Sequence, residues 1–191
     1  MTLSASQAAV AHHLRANAIR TDGPFVLRSG RVSDWYLDAR QTTFSGEGAR
    51  LVGAAVWECL EDADAVGGMT MGADPIAVAT AIHAAGRGTP LKAFSIRKAA
   101  KDHGTGGRLV GPVRGSDRVV MLEDTATTGG TLTEAIEVAR KDGLRIVQVV
   151  VLVDRSRGEA ARLMTERGIP YTAILRPEDL GLRPDGRGSS P

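Results

Sequence analysis

The chain has 191 residues, 42% of them hydrophobic and 24% charged, which suits one globular domain with a substantial core. A formal net charge of +2 gives no bulk argument for nucleic acid, and an aromatic content of 4% argues against a base-stacking single-strand binder. One cysteine, Cys59, excludes an internal disulfide and a Cys-rich metal site; no apolar run reaches membrane-spanning length and the N-terminus has no basic-then-apolar signal pattern, so a soluble cytoplasmic protein is expected.

Residues 3–19 read as an amphipathic helix with Val10, Leu14 and Ala18 at helical spacing. His12 and His13 are adjacent on it and do not face each other, so no two-histidine metal site is expected. Gly23-Pro24 breaks the pattern. Phe25-Val26-Leu27 and Trp35-Tyr36-Leu37 follow as short β-like runs around the turn-prone Arg28-Ser29-Gly30-Arg31. This excursion is either a small covering substructure or a hood offering an aromatic wall and a cation to a planar anion. Residues 46–61 read as a helix carrying Leu51, Ala55, Val56 and Leu60, with Cys59 as a buried structural thiol. Ala65-Val66-Gly67-Gly68 reads as a strand entering a turn, and Asp74-Pro75 as the N-cap and first residue of the next helix, with His83 partly exposed on it.

Leu91 to Ile96 is a further strand, and the stretch after it, Arg97 to Arg108, carries four Lys or Arg against one Asp and ends rich in glycine. Such a loop suits closure over a polyphosphate with expulsion of water. Val119-Val120-Met121-Leu122 reads as a buried strand ending in the adjacent carboxylates Glu123 and Asp124. The loop Thr125-Ala126-Thr127-Thr128-Gly129-Gly130 follows, then a helix opened by a capping-box spacing of Thr131 and Glu134. Strand, small-residue loop and helix N-terminus make an anion cradle, and the carboxylates add acceptors for hydroxyls, so a ribose 5-phosphate has the matching shape. The Gly-Lys-Ser/Thr of a Walker A loop is absent. Gly143 reads as a helix C-cap, residues 146–153 as the most β-prone run before Asp154-Arg155, 160–167 as a helix and 171–175 as a last strand. The single domain is expected over 1–184, with the hood at about 20–45 and a disordered tail at 185–191.

Strands alternating with helices over 64–175 imply a parallel α/β sheet. Ligands of such sheets bind at the carboxyl ends of strands, so Arg97, Glu123, Asp124 and Arg155, each placed after a strand end, should converge on one cleft.

The Glu123–Thr131 stretch resembles the phosphoribosyl pyrophosphate signature of the type I phosphoribosyltransferases. Leu27-Arg28-Ser29-Gly30-Arg31, the run Arg97-Lys98-Ala99-Ala100-Lys101-Asp102-His103-Gly104, and Asp154-Arg155 resemble the orotate phosphoribosyltransferases in particular. The resemblance implies an α/β type I phosphoribosyltransferase fold, a central parallel sheet flanked by helices with a small N-terminal hood. It further implies transfer of the phosphoribosyl group to orotate with Mg²⁺ held mainly by substrate and water. The 5-phosphate falls to Thr125, Ala126, Thr127, Thr128, Gly129, Gly130 and Thr131, and the ribose hydroxyls to Glu123 and Asp124. The pyrophosphate falls to Arg97, Lys98, Lys101 and His103, with Lys101, His103 and Asp124 catalytic. Orotate falls to Thr127 and Arg155, while Arg28, among the substrate-binding residues, takes the place of a lysine in many relatives and Tyr36 that of an aromatic beside the base. A homodimer with Lys98 acting in the neighbouring site is implied, with no nucleic acid or membrane partner. Met71-Gly72 stands where relatives can carry a ligand-contacting Tyr-Lys pair, and Leu37 where a second aromatic can occur. Two rivals share the motifs: a phosphoribosyltransferase for another base, against which Arg155 and the basic loop weigh, and a non-enzymatic regulator binding phosphoribosyl pyrophosphate, which lacks an evident DNA-binding module.

Overall fold

The computed structural model describes residues 2–26, 32–99 and 107–183. In chain order the elements are α1 (Ala5–Asn17), β1 (Ile19–Arg20), β2 (Phe25–Val26), β3 (Val32–Ser33), β4 (Tyr36–Leu37), α2 (Arg40–Thr43), α3 (Gly46–Trp57), β5 (Ala65–Met69), α4 (Ala73–Gly86), β6 (Lys92–Ile96), β7 (Leu109–Val110), β8 (Arg118–Ala126), α5 (Gly130–Lys141), β9 (Arg145–Asp154), α6 (Glu159–Glu166) and β10 (Tyr171–Leu175), closed by a 3-10 turn, Pro177–Leu180.

The continuous apolar runs become the middle of a six-stranded sheet of order β10-β9-β8-β5-β6-β7. Strands buried on both faces need such runs, because each side chain meets a helix layer whichever way it points. Val120, Leu122, Val150 and Leu152 enter the core that also holds Val10 and Leu14 of α1, Val52 and Val56 of α3 and Ile76 of α4. Their neighbours Val119, Met121, Val149 and Val151 enter the opposite core with Leu132, Ile136 and Ala139 of α5 and Met164 of α6. The sheet is parallel except at one edge, where β7 pairs antiparallel with β6. The chain runs outward from β5 to β6 in one direction and from β8 through β9 to β10 in the other. A topological switch point therefore lies between β5 and β8.

Several local expectations are corrected. The excursion after α1 is not one hairpin but two ladders: Phe25–Val26 pairs with Val32–Ser33, and Tyr36–Leu37 pairs back to Ile19–Arg20. α3 stops at Trp57, so Cys59 lies past its C-cap, half-buried, with its thiol pushed up to about 11 by burial. α4 begins at Ala73 with Gly72 already helical at the cap; Asp74 and Pro75 sit in the first turn, where proline's missing N–H costs nothing. Asp74 is not a cap but accepts from the Thr70 hydroxyl at 2.6 Å. Gly143, at φ 84°, terminates α5 as expected. His13 bonds Thr42 and Asn17, and no group of three or more His, Cys, Asp or Glu among the described residues is arranged to hold a metal ion. No helix among them is long and apolar enough to cross a membrane.

Candidate functional site

β8 runs through Ala126, so Glu123 and Asp124 lie within the strand rather than beyond it. The ladder to β9 continues past the β5 pairing, with Glu123 opposite Val151 and Thr125 opposite Val153, whereas β5 last pairs at Gly68–Leu122. The carboxylates thus occupy the stretch of β8 that has lost its β5 neighbour, at the mouth of the switch point. A cleft of about 370 Å³ opens there. Tyr36, Asp38 and Arg40 line it from the hood, Thr70, Met71 and Gly72 from the β5–α4 turn, Lys98 from the stretch after β6, and Glu123, Asp124, Thr125 and Thr131 from β8 and its loop.

Packing around the acidic pair is tight. A Cβ on Gly72 would stand 2.6 Å from Asp124 Cγ, so the turn after β5 lies directly against that carboxylate and a side chain there would displace it. Thr125 N–H donates to Asp124 Oδ1 at 2.7 Å. Burial, with the charge of Asp124 beside it, pushes Glu123 up to about 8. Burial also raises Asp124, against the Thr125 amide and the positive charge of Arg40. Arg40 is held by Asp38, Nε to Oδ1 at 2.7 Å.

The loop after β8 makes a small pit lined by Glu123 and Thr125 to Leu132. The expected capping box at Thr131 and Glu134 is absent. α5 starts at Gly130, its cap is Gly129 in the left-handed region at φ 78°, and no side chain caps it. A left-handed cap needs glycine, and it leaves the first-turn amides free of a side-chain competitor, which is what an anion-binding N-terminus requires. Thr127 and Thr128 line the pit and Ala126 is buried at its floor.

Glu123, Asp124, Lys98 and Tyr36 line one cleft, which in the single chain is Lys98's own, whereas the resemblance gives Lys98 to the neighbouring site. Arg97 follows β6 but does not line it. Arg155 follows β9, its N–H donating to Ala126 C=O at 2.8 Å, yet its guanidinium lies 3.9 Å over the Trp35 ring. It lines a neighbouring hollow with Arg157 and Arg176 instead of the cleft. Trp35 is no cleft wall: it is 4% exposed and its Nε1–H donates to Arg183 C=O at 3.0 Å. The two readings of the hood therefore divide, Trp35 packing as core and Tyr36 facing the cleft. Arg28, Lys101 and His103, and the tail 185–191, lie outside the described residues. Sequence reasoning missed Asp38, Arg40 and Thr70; the charged pair two residues past Tyr36 was the available signal for the first two.

The chain matches the model of the phosphoribosyl transferase domain over residues 45–182. It is 44% identical to an orotate phosphoribosyltransferase of Streptomyces avermitilis over 162 residues, which is 84% of this chain and 89% of that protein. Among solved structures it is similar to Mycobacterium tuberculosis orotate phosphoribosyltransferase in complex with Fe(III) dicitrate, with a TM-score of 0.82 and 36% identity, covering 93% of this chain and 99% of that one. The same enzyme in complex with 5-phospho-α-D-ribosyl 1-diphosphate gives a TM-score of 0.78 and 33% identity, with the same coverage.

Proposed function

Because the chain belongs to the phosphoribosyl transferase family, and within it to the orotate phosphoribosyltransferases, we propose that it transfers the 5-phosphoribosyl group of phosphoribosyl pyrophosphate to orotate, in de novo synthesis of UMP. The bond from ribose C1 to the pyrophosphate oxygen breaks, the bond from C1 to N1 of orotate forms, and the N1 proton passes to solvent. The products are orotidine 5-phosphate and pyrophosphate. The observation that carries the reading is the pairing of two acceptor carboxylates with an uncapped, glycine-started helix in adjoining parts of one strand–loop–helix unit.

In this reading the amides and hydroxyls of Thr125 to Thr131 hold the 5-phosphate. Glu123 and Asp124 accept hydrogen bonds from the ribose hydroxyls, which orients the sugar. Asp124, set beside C1, stabilises the positive charge that develops as the leaving bond stretches. Lys98, with Arg97, Lys101 and His103, meets the diphosphate, and Tyr36, Arg28, Thr127 and Arg155 meet the base. Arg155 serves orotate by leaving the Trp35 face for the orotate carboxylate, a stronger partner for a guanidinium. The donor set fits Mg²⁺: the described residues offer oxygen ligands at the cleft and no three-ligand cage, so substrate oxygens and water would hold it. When bound, Mg²⁺ neutralises part of the diphosphate charge and makes it a better leaving group. A homodimer is supported by the α3–α4 face, where a groove lined by Ala49, Ala79 and Ile82 leaves Ile82 67% and Val78 51% exposed. On this reading the protein acts in the cytoplasm.

Orotate, phosphoribosyl pyrophosphate and Mg²⁺ are mixed with the protein and loss of orotate absorbance is followed. Loss that requires all three components is the expected result. Turnover of adenine, guanine, hypoxanthine or uracil instead replaces the acceptor. Binding of phosphoribosyl pyrophosphate without turnover of any base makes the chain a sensor rather than a transferase.

A further inference from the structure

The basic stretch leaves the sheet at Ile96 and rejoins it at Leu109, where β6 and β7 pair Ser95 with Val110 and Ile96 with Leu109. Its two ends are bound to each other reciprocally. Arg97 N–H donates to Arg108 C=O at 2.8 Å, and Arg108 Nε–H donates to Arg97 C=O at 2.6 Å. The Arg108 guanidinium then reaches past the sheet edge. One Nη pairs with the Glu134 carboxylate on α5 and lies 3.7 Å from Met69 Sδ at the end of β5. One side chain therefore touches the exit of the basic stretch, the strand that borders the switch point, and the helix whose first turn closes the phosphate loop.

Arg108 is only 22% exposed at its side chain and Glu134 is 53% exposed. An isolated ion pair that open would add little to stability. An arginine, however, presents several donors in one rigid plane and can bind the Arg97 carbonyl and the Glu134 carboxylate together; a lysine offers a point charge and satisfies one at a time.

We infer that Arg108 is a positioning residue that holds Arg97 and Lys98 in fixed register with the Thr125–Thr131 loop, so that cations and amides meet the two phosphate-bearing ends of one substrate. The inference rests on the transfer reading above, with Lys98 serving the cleft of its own chain that it lines. It assigns to Arg108 no contact with substrate. Its consequence is selective: a ligand carrying both a diphosphate and a 5-phosphate feels the register, and a ligand carrying the 5-phosphate alone does not.

The test compares full-length wild-type protein with Arg108→Ala, Arg108→Lys and Glu134→Gln. Steady-state kinetics for both substrates, thermal melts, and calorimetric binding of phosphoribosyl pyrophosphate and of orotidine 5-phosphate are measured. Arg108→Ala is expected to raise KM for phosphoribosyl pyrophosphate and weaken its binding about tenfold, the scale of coupling through a contiguous network. Affinity for orotidine 5-phosphate stays within about twofold. Arg108→Lys recovers only part of the loss, and Arg108→Ala combined with Glu134→Gln is no worse than Arg108→Ala alone, because both changes break one unit. Equal weakening of both ligands, or weakening that tracks a fall in Tm across the variants, reduces Arg108 to a structural role and overturns the inference, as does unchanged binding of both. If the wild-type protein binds phosphoribosyl pyrophosphate but converts no orotate, the transfer reading fails while the calorimetric comparison still judges Arg108. If it binds neither ligand, both readings fall.

Discussion

Glu123 is the residue on which fold and site make opposite demands. Its ordinary value is 4.5, and in the folded chain burial and the neighbouring Asp124 push it up to about 8. A carboxyl raised on folding keeps a proton that the unfolded chain has already lost. Its contribution to stability is therefore full below about 4.5 and is lost as pH climbs toward 8, the unfolded state binding fewer protons throughout that window. Yet the carboxylate form is the better acceptor for ribose hydroxyls. Glu123→Gln, neutral at every pH, removes the liability along with the acceptor. Its Tm is expected to match the wild type near pH 5 and to exceed it by a few degrees near pH 8.5, while turnover of orotate falls about tenfold or more. Melts at the two pH values and initial rates check this; a Tm difference of the same size at both pH values would sink the assignment. Asp124, raised by burial but restrained by Arg40 and the Thr125 amide, stays in both proteins, so its own titration largely cancels from the comparison.

At the scale of elements, the decisive unit is β8, its loop and α5. Gly129 sits at φ 78° with Leu163 Cδ1 3.1 Å from where a Cβ would stand. Gly129→Ala is expected to cost about 1–2 kcal/mol in left-handed strain, which for a chain of this length lowers Tm by roughly 2 to 8 °C. Affinity for inorganic phosphate should fall with it, since the first-turn amides would be re-aimed; a variant that melts lower but binds phosphate as before would separate the cap from the cradle. This unit was largely legible in the sequence, because apolar run, acidic pair and glycines are local signals. Its details were not. Acidic residues weigh against a strand, but the β9 ladder holds Glu123 and Thr125 in one regardless, so tertiary pairing overrode propensity. Thr131 and Glu134 had capping spacing, but the positive φ at Gly129 and the pull of Arg108 on Glu134 are set by non-local contacts. The sheet order was hidden for the same reason: alternation of strands and helices predicts a parallel sheet but not the order that creates the switch point, nor the two-residue antiparallel edge β7. Arg155 was placed correctly at the end of β9, yet the direction of its side chain, onto Trp35, depends on a ring more than a hundred residues earlier in the chain.

At the scale of the whole molecule, the open question is which cleft Lys98 serves. In the single chain Lys98 lines the same cleft as Glu123 and Asp124. The family resemblance assigns it to the neighbouring subunit, and the exposed Val78 and Ile82 on α4 give a second copy an apolar face to cover. The alternatives differ in stoichiometry rather than in contacts, so mixing decides between them. Lys98→Ala and Asp124→Asn are each expected to be nearly inactive as pure dimers. If Lys98 acts across the dimer, a mixed dimer has one cleft with both defects and one with neither. The intact cleft belongs to the Lys98→Ala subunit, which keeps its own Asp124 and borrows Lys98 from its partner. Free exchange of equal amounts makes about half of all dimers mixed, each with one working cleft of two, so activity recovers to about a quarter of the wild-type value. If Lys98 acts within its own chain, every cleft in every combination carries one defect and mixing restores nothing. Ile82→Asp, placed on the apolar face, adds the control: it should shift the protein toward monomer in light scattering and abolish the recovery while leaving each subunit folded. A variant that remains dimeric and keeps the recovery would mean that α4 is not the face that joins the subunits.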